Sequence, residues 1–277
     1  MTTFLLALIA SLSQSSEMPA PAARPISCVG EHIQGALLIC RTLPGSEVSL
    51  GDITVSADAF GWVVLGHDRD AQPETQMVVR MGGEETYRED IAVTQREYDI
   101  QYVEGVPQQY VSPPDEVLAR IRAEGARKRE AYTSRWDVPG FAEGFIMPAD
   151  GPITGVYGSQ RYYNGEPRRP HYGLDMAGPV GTEVVTPADG IVTLADADMY
   201  YEGGLIFIDH GQGFTSAFLH LSAVDVEVGQ VVKQGDRIGA IGAGGRSTGP
   251  HLDWRIKWHD RYIDPALTLD LQPEVLR

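Results

Sequence analysis

Hydrophobic positions in this chain fall mostly into short runs and alternations, the pattern of strands rather than helices. Between Gly35 and Val93 the runs are Ala36-Leu37-Leu38-Ile39, Val48 and Leu50, Ile53 and Val55, Phe60 to Leu65, Met77-Val78-Val79, and Ile91 with Val93. Pro44-Gly45, His67 to Asp70 and Gly82-Gly83 punctuate them. Strands at this spacing, with turn residues between, predict a small β-sandwich. His32 and His67 read as surface or turn residues, and the module carries no evident chemistry.

A proline-rich stretch follows, with Pro107, Pro113 and Pro114. Helical spacing appears once, over Asp115 to Arg135, where Val117, Leu118 and Ile121 share a face. Asp115 and Glu116 stand at its positive end. Arg127-Lys128-Arg129 reads as a solvated face. From Phe145 onward strand candidates return at 153–157, 183–186, 190–194, 205–208 and 215–219. The glycine-dense run from Val228 to Gly242 suits tight turns between antiparallel strands. The expected organisation is a polar leader at 1–23, a β-sandwich at 24–106, a linker and helix at 107–140, and a mainly β domain at 141–277.

Composition narrows the function. The net charge is −16, which argues against nucleic acid as a partner, because phosphate binding wants clustered Lys and Arg. The apolar run Phe4 to Ala10 is too short to span a bilayer, and Ser, Pro and Ala dominate the residues after it, the shape of a signal peptide. No later stretch predicts a transmembrane anchor. Cys28 and Cys40 are the only cysteines. In an oxidising compartment they would close a short loop worth about 3 kcal/mol in the chain-entropy model; otherwise they are two buried thiols.

Candidate chemistry gathers between His171 and Trp254. The blocks are His171-Tyr172-Gly173-Leu174-Asp175, Phe218-Leu219-His220-Leu221-Ser222 and Gly249-Pro250-His251-Leu252-Asp253-Trp254. In a strand, residues two apart share a face, so His251 and Asp253 stand side by side while Leu252 turns to the core. Each block alone is ordinary; together they offer ligands for a catalytic zinc and two further imidazoles for proton transfer.

These blocks, in this order, resemble the signatures of the lysostaphin/LytM-type zinc endopeptidases. Thr186 to Val192, Ile208-Asp209-His210-Gly211 and the glycine-rich hairpin resemble that family too. The match runs from about Phe145 to Leu269, and the preceding module and helix resemble, more loosely, the accessory region of exported members. The resemblance implies an antiparallel β core (LytM-like, barrel-sandwich type), one zinc ion, peptidoglycan as substrate and a periplasmic or cell-envelope location. It makes His171 and Asp175 metal ligands, and His220 and His251 the groups that activate water and stabilise the transition state.

The family's last ligand is the second histidine of a His-x-His pair, and here that position is Asp253. A carboxylate can ligate zinc, so the expected set is His171, Asp175 and Asp253. Two carboxylates would neutralise the ion and acidify its water less. Asp253→His would restore the family's pattern and, with backbone adjustment, raise metal affinity. Arg168 and Arg169 are candidates for meeting a substrate carboxylate. The alternative is a degenerate groove that binds peptidoglycan or regulates a cell-wall amidase or the divisome.

Overall fold

A computed structural model describes residues 24–103, 115–163 and 165–277; the leader and most of the proline-rich stretch lie outside them. Among the described residues the fold is mainly β, with antiparallel sheets save for one parallel strand pair and an isolated parallel bridge between Ile33 and Thr94.

The N-terminal strands are β1 (Ser27–Val29), β2 (Leu37–Arg41), β3 (Glu47–Leu50), β4 (Ile53–Ser56), β5 (Trp62–Gly66), β6 (Glu74–Met81), β7 (Glu84–Ala92) and β8 (Ile100–Val103). They form a three-stranded sheet in the order β1-β2-β5 and a four-stranded sheet in the order β4-β3-β6-β7. The runs in β2 and β5 are continuous because both faces are covered: Leu37, Leu38, Ile39, Val63, Val64 and Leu65 are all buried. Strand β7, rich in Glu, Arg and Asp, lacks an apolar alternation because it lies mostly exposed beside β6. Cys28 and Cys40 are directly opposite on β1 and β2 and form a disulfide.

After a 3-10 turn at Asp115–Val117 comes α1 (Leu118–Ala131). Leu118 and Ile121 are only half-buried; the helix buries Glu124 and Ala131 instead. This corrects the apolar-stripe expectation, and ion pairs supply the reason. Arg127 pairs with Asp196 and Lys128 with Glu202, while Glu124 takes the Arg120 guanidinium and the Tyr200 backbone N–H. The basic run is a solvated face, with Arg127 and Arg129 exposed, from which Arg127 and Lys128 also clamp the helix to the sheet.

The remainder comprises β9 (Ile153–Gly155), β10 (Gln160–Tyr163), β11 (Glu166–Pro167), β12 (Gly173–Ala177), β13 (Glu183–Val185), β14 (Gly190–Met199), β15 (Gly203–Asp209), β16 (Phe214–Val224), β17 (Val231–Val232), β18 (Arg237–Ile241), β19 (His251–Trp258), β20 (Arg261–Ile263) and α2 (Pro265–Thr268). A ten-stranded sheet runs β17-β14-β15-β16-β19-β12-β9, with β18 joining β13 to β16 and β20 on β19. Strand β8 pairs in parallel with β10, beside β11.

Buried residues of the N-terminal sheets and of the ten-stranded sheet form one continuous apolar cluster. Polar contacts stitch the same seam. The Gln212 amide bonds the backbone of Trp62 and Val64, Arg261 donates to the Gly66 carbonyl, and Arg96 pairs with Asp264. His67 is 2% exposed, with its Nε2 3.0 Å from Nδ1 of the half-buried His32, so the surface-turn expectation is corrected for His67, which packs inside the module.

Candidate metal centre

Strand β19 sets the site by strict alternation. Leu252, Trp254, Ile256 and Trp258 are all 0% exposed and form the core face. The two tryptophans are therefore core. His251, Asp253, Arg255 and Lys257 take the other face. Strand β12 runs antiparallel alongside, with Asp175 directly opposite Asp253. Two carboxylates in register on one sheet face repel, and such a pair needs a cation.

His171 supplies the third group from the segment entering β12. Its Nε2 lies 3.0 Å from Asp175 Oδ1 and 3.6 Å from Asp253 Oδ1. One ligand atom from each of His171, Asp175 and Asp253 falls within 4.8 Å of the others, and among the described residues no other group of three meets that condition. His171 Nε2 and Asp175 Oδ1 are buried atoms that make no hydrogen bond. Two such atoms aimed at one point, beside a second carboxylate, fit a divalent cation bound through nitrogen and oxygen.

His220 and His251 stand next to these ligands, their rings 4.8 Å apart, and His251 Nε2 is 3.9 Å from Asp175 Oδ1. All three imidazoles are oriented alike. Nδ1 donates to a backbone carbonyl in each: His171 to Val156 at 3.1 Å, His220 to Gly244 at 2.9 Å, His251 to Gly249 at 2.8 Å. A carbonyl only accepts, so Nδ1 carries a proton in each ring and Nε2 is left for the site. His220 also holds φ +66, a left-handed backbone rarely used by residues with a Cβ, at an irregular stretch of β16. Its N–H bonds the Glu202 carbonyl, so the strained turn is tied from two sides.

Electrostatics separate the groups. Burial works against charge on His171, but the Asp175 and Asp253 carboxylates outweigh it and push the imidazole up to about 10. Burial lowers His220. Asp253 is 3% exposed; burial opposes its ionisation, yet the Arg255 guanidinium and His171 hold the carboxyl well below the usual range.

Arg255 escaped the sequence reading. So did Gly155 and Gly173, where an added Cβ would lie 2.2 Å from Asp175 Oδ2 and Asp253 Oδ1 respectively. Alternation along β19 could have flagged Arg255, since it places 251, 253 and 255 on one face; the glycines gave no signal without the register. Arg168 and Arg169 stay outside the cluster. Arg168 is half-buried and its carbonyl accepts from Gln160; Arg169 is exposed, near enough to Tyr172 and Lys257 for its charge to act on both. His210 is fully buried away from the site, with Nδ1 on the Asp189 carbonyl and Nε2 2.9 Å from Ser216 Oγ.

Known proteins resemble this chain in part or nearly throughout. Residues 169–265 match the model for peptidase family M23. A crystal structure of a Pseudomonas aeruginosa protein described as a peptidase M23 aligns over 86% of this chain and 95% of its own, with TM-score 0.66 and 30% identity. Peptidoglycan DD-endopeptidase ShyA of Vibrio cholerae is 44% identical over 87 residues, 31% of this chain and 20% of its own length. Cell division protein DipM of Caulobacter vibrioides is 32% identical over 131 residues, 45% of this chain and 21% of its own. The match thus spans about a fifth of these two curated relatives.

Proposed function

The chain belongs to peptidase family M23, and from that premise we propose that it is a zinc-dependent endopeptidase cleaving peptide bonds of bacterial peptidoglycan. One observation carries the reading: His171 and His251, with Nδ1 engaged, turn Nε2 toward the register-paired carboxylates, and His220, held the same way, packs its ring against His251. His171, Asp175 and Asp253 would hold the ion. Bound zinc supplies Lewis acidity, polarising a carbonyl and acidifying water.

The chain's own groups do the rest. One of His220 and His251 accepts the water's proton at Nε2, and the other, protonated at Nε2 as well as Nδ1, donates to the developing oxyanion. Backbone carbonyls fix both rings, so little reorganisation accompanies reaction. Arg168 and Arg169 would meet a carboxylate of the stem peptide from the rim. The Cys28–Cys40 disulfide and the peptidoglycan-directed relatives support action outside the cytoplasm, in the periplasm or cell envelope. Residues 24–106 would act as an accessory module to a peptidase domain at 141–277.

Metal analysis of freshly purified protein, paired with digestion of purified peptidoglycan, tests this. The expected result is one zinc per chain and release of soluble fragments that a chelator stops. A protein that carries no zinc and takes none up would overturn it.

One feature favours a second reading, a metal-free groove that regulates a cell-wall amidase: Arg255 already pairs with Asp253. Such a protein would release nothing alone and would stimulate an added amidase whether or not a chelator is present.

A further inference from the structure

Asp253 is gripped from its own strand. Arg255 Nε lies 3.0 Å from both carboxylate oxygens, and Nη2 bonds Oδ2 as well. Oδ1 is the oxygen turned toward His171. On β12, directly opposite Arg255, stands Gly173; a Cβ there would sit 2.2 Å from Asp253 Oδ1 and 2.8 Å from Arg255 Cγ. The pair fills a slot that this glycine leaves open.

We infer that Arg255 is the positioning residue of the metal centre, one unit with Asp253, and that it commits position 253 to a carboxylate. The inference rests on the zinc reading above. Two physical reasons support it. The fork fixes Asp253 with Nε shared between both oxygens and Nη2 on Oδ2 alone, so that Oδ1, the less engaged oxygen, faces the ligand point, a geometry that a planar guanidinium provides and an ammonium does not. The charge also balances. Two carboxylates and one guanidinium carry one net negative charge, which is what two imidazoles and one carboxylate carry, so the ion keeps part of its positive charge for catalysis.

Restoring histidine at 253 alone is then a loss. An imidazole there leaves Arg255 without its anion, a half-buried cation facing a second cation. This reverses the sequence-based expectation that Asp253→His raises metal affinity.

The test is a cycle of full-length variants, stripped of metal and titrated with zinc alone against a chromophoric chelator, with melting followed in parallel. Asp253→His is expected to bind zinc at least tenfold more weakly than the native chain. The double variant D253H/R255Q should recover at least tenfold over D253H, since the stranded guanidinium is gone. Arg255→Lys keeps the charge and loses the fork; it should fold and bind zinc several-fold more weakly. The inference is overturned if D253H binds zinc as tightly as the native chain, if the double variant binds no tighter than D253H, or if R255K changes melting alone. If the unmutated chain takes no zinc, the zinc reading itself fails, and Arg255's role with it; that arm is read before any substitution.

Discussion

Two groups of histidines show how differently one side chain can be used. In the N-terminal module, His32 Nδ1 and His67 Nε2 contact each other, and His67 is sealed in the packing. Burial, then the charges of His32 and Arg261, push His67 down to about 4. In the candidate metal centre the Nδ1 atoms are spent on backbone carbonyls, and the Nε2 atoms of His171 and His251 face the Asp175 carboxylate. His171 there is pushed up to about 10. What separates a structural histidine from a candidate ligand or base is which nitrogen the fold has already used and what charge faces the other.

The comparison breaks most visibly at Asp253. Asp253→Ala removes a ligand and strands Arg255, so zinc content and peptidoglycan hydrolysis should fall to background, with a stability loss of about 3 kcal/mol in thermal melting. His67→Ala should leave zinc content unchanged. Next, His220→Ala and His251→Ala should each lower wall hydrolysis by roughly 10²–10⁴-fold, with zinc per chain retained. Loss of zinc in either would move that histidine into the ligand set.

Acid and base limbs sharpen the contrast, because the two groups titrate with opposite sign. Between pH 6.5 and about 4 the unfolded chain protonates His67 while the folded chain does not, so its contribution is whole above 6.5 and lost as pH falls, by at most about 3 kcal/mol. His67→Gln should flatten that limb in urea melts. In metal-stripped protein His171 does the reverse: its contribution is whole below 6.5 and lost as pH rises toward about 10. His171→Gln should flatten the alkaline limb alone. The smallest effect is steric. Gly173→Ala drives a methyl into Asp253 Oδ1 and should cost about 1–3 kcal/mol while weakening zinc binding, leaving the acid limb of His67 untouched.

Much of this was legible along the chain. Continuous apolar runs became β2 and β5, and the alternation in 251–258 became β19. Strand β7 was nearly silent, since an exposed strand needs no apolar face. Helical spacing marks the helix but not its docking: it points to Leu118 and Ile121, whereas Glu124, Arg127 and Lys128 make the contacts. Ion pairs between residues some seventy positions apart have no periodic signature.

The sequence alone determined which residue types are present at which strand positions: a mainly β chain, three histidine-bearing blocks, and an aspartate where the resembled family has histidine. Strand alternation is a local property, so His251 and Asp253 could be put on one face without a fold. Tertiary structure decided what those residues meet. Cross-strand register put Asp175 opposite Asp253 and Gly173 opposite Arg255. Loop carbonyls at Val156, Gly244 and Gly249 set the tautomers. Register and loop closure depend on partners distant in sequence, and the charge balance of the centre, with Arg255 in it, exists only once those partners have met.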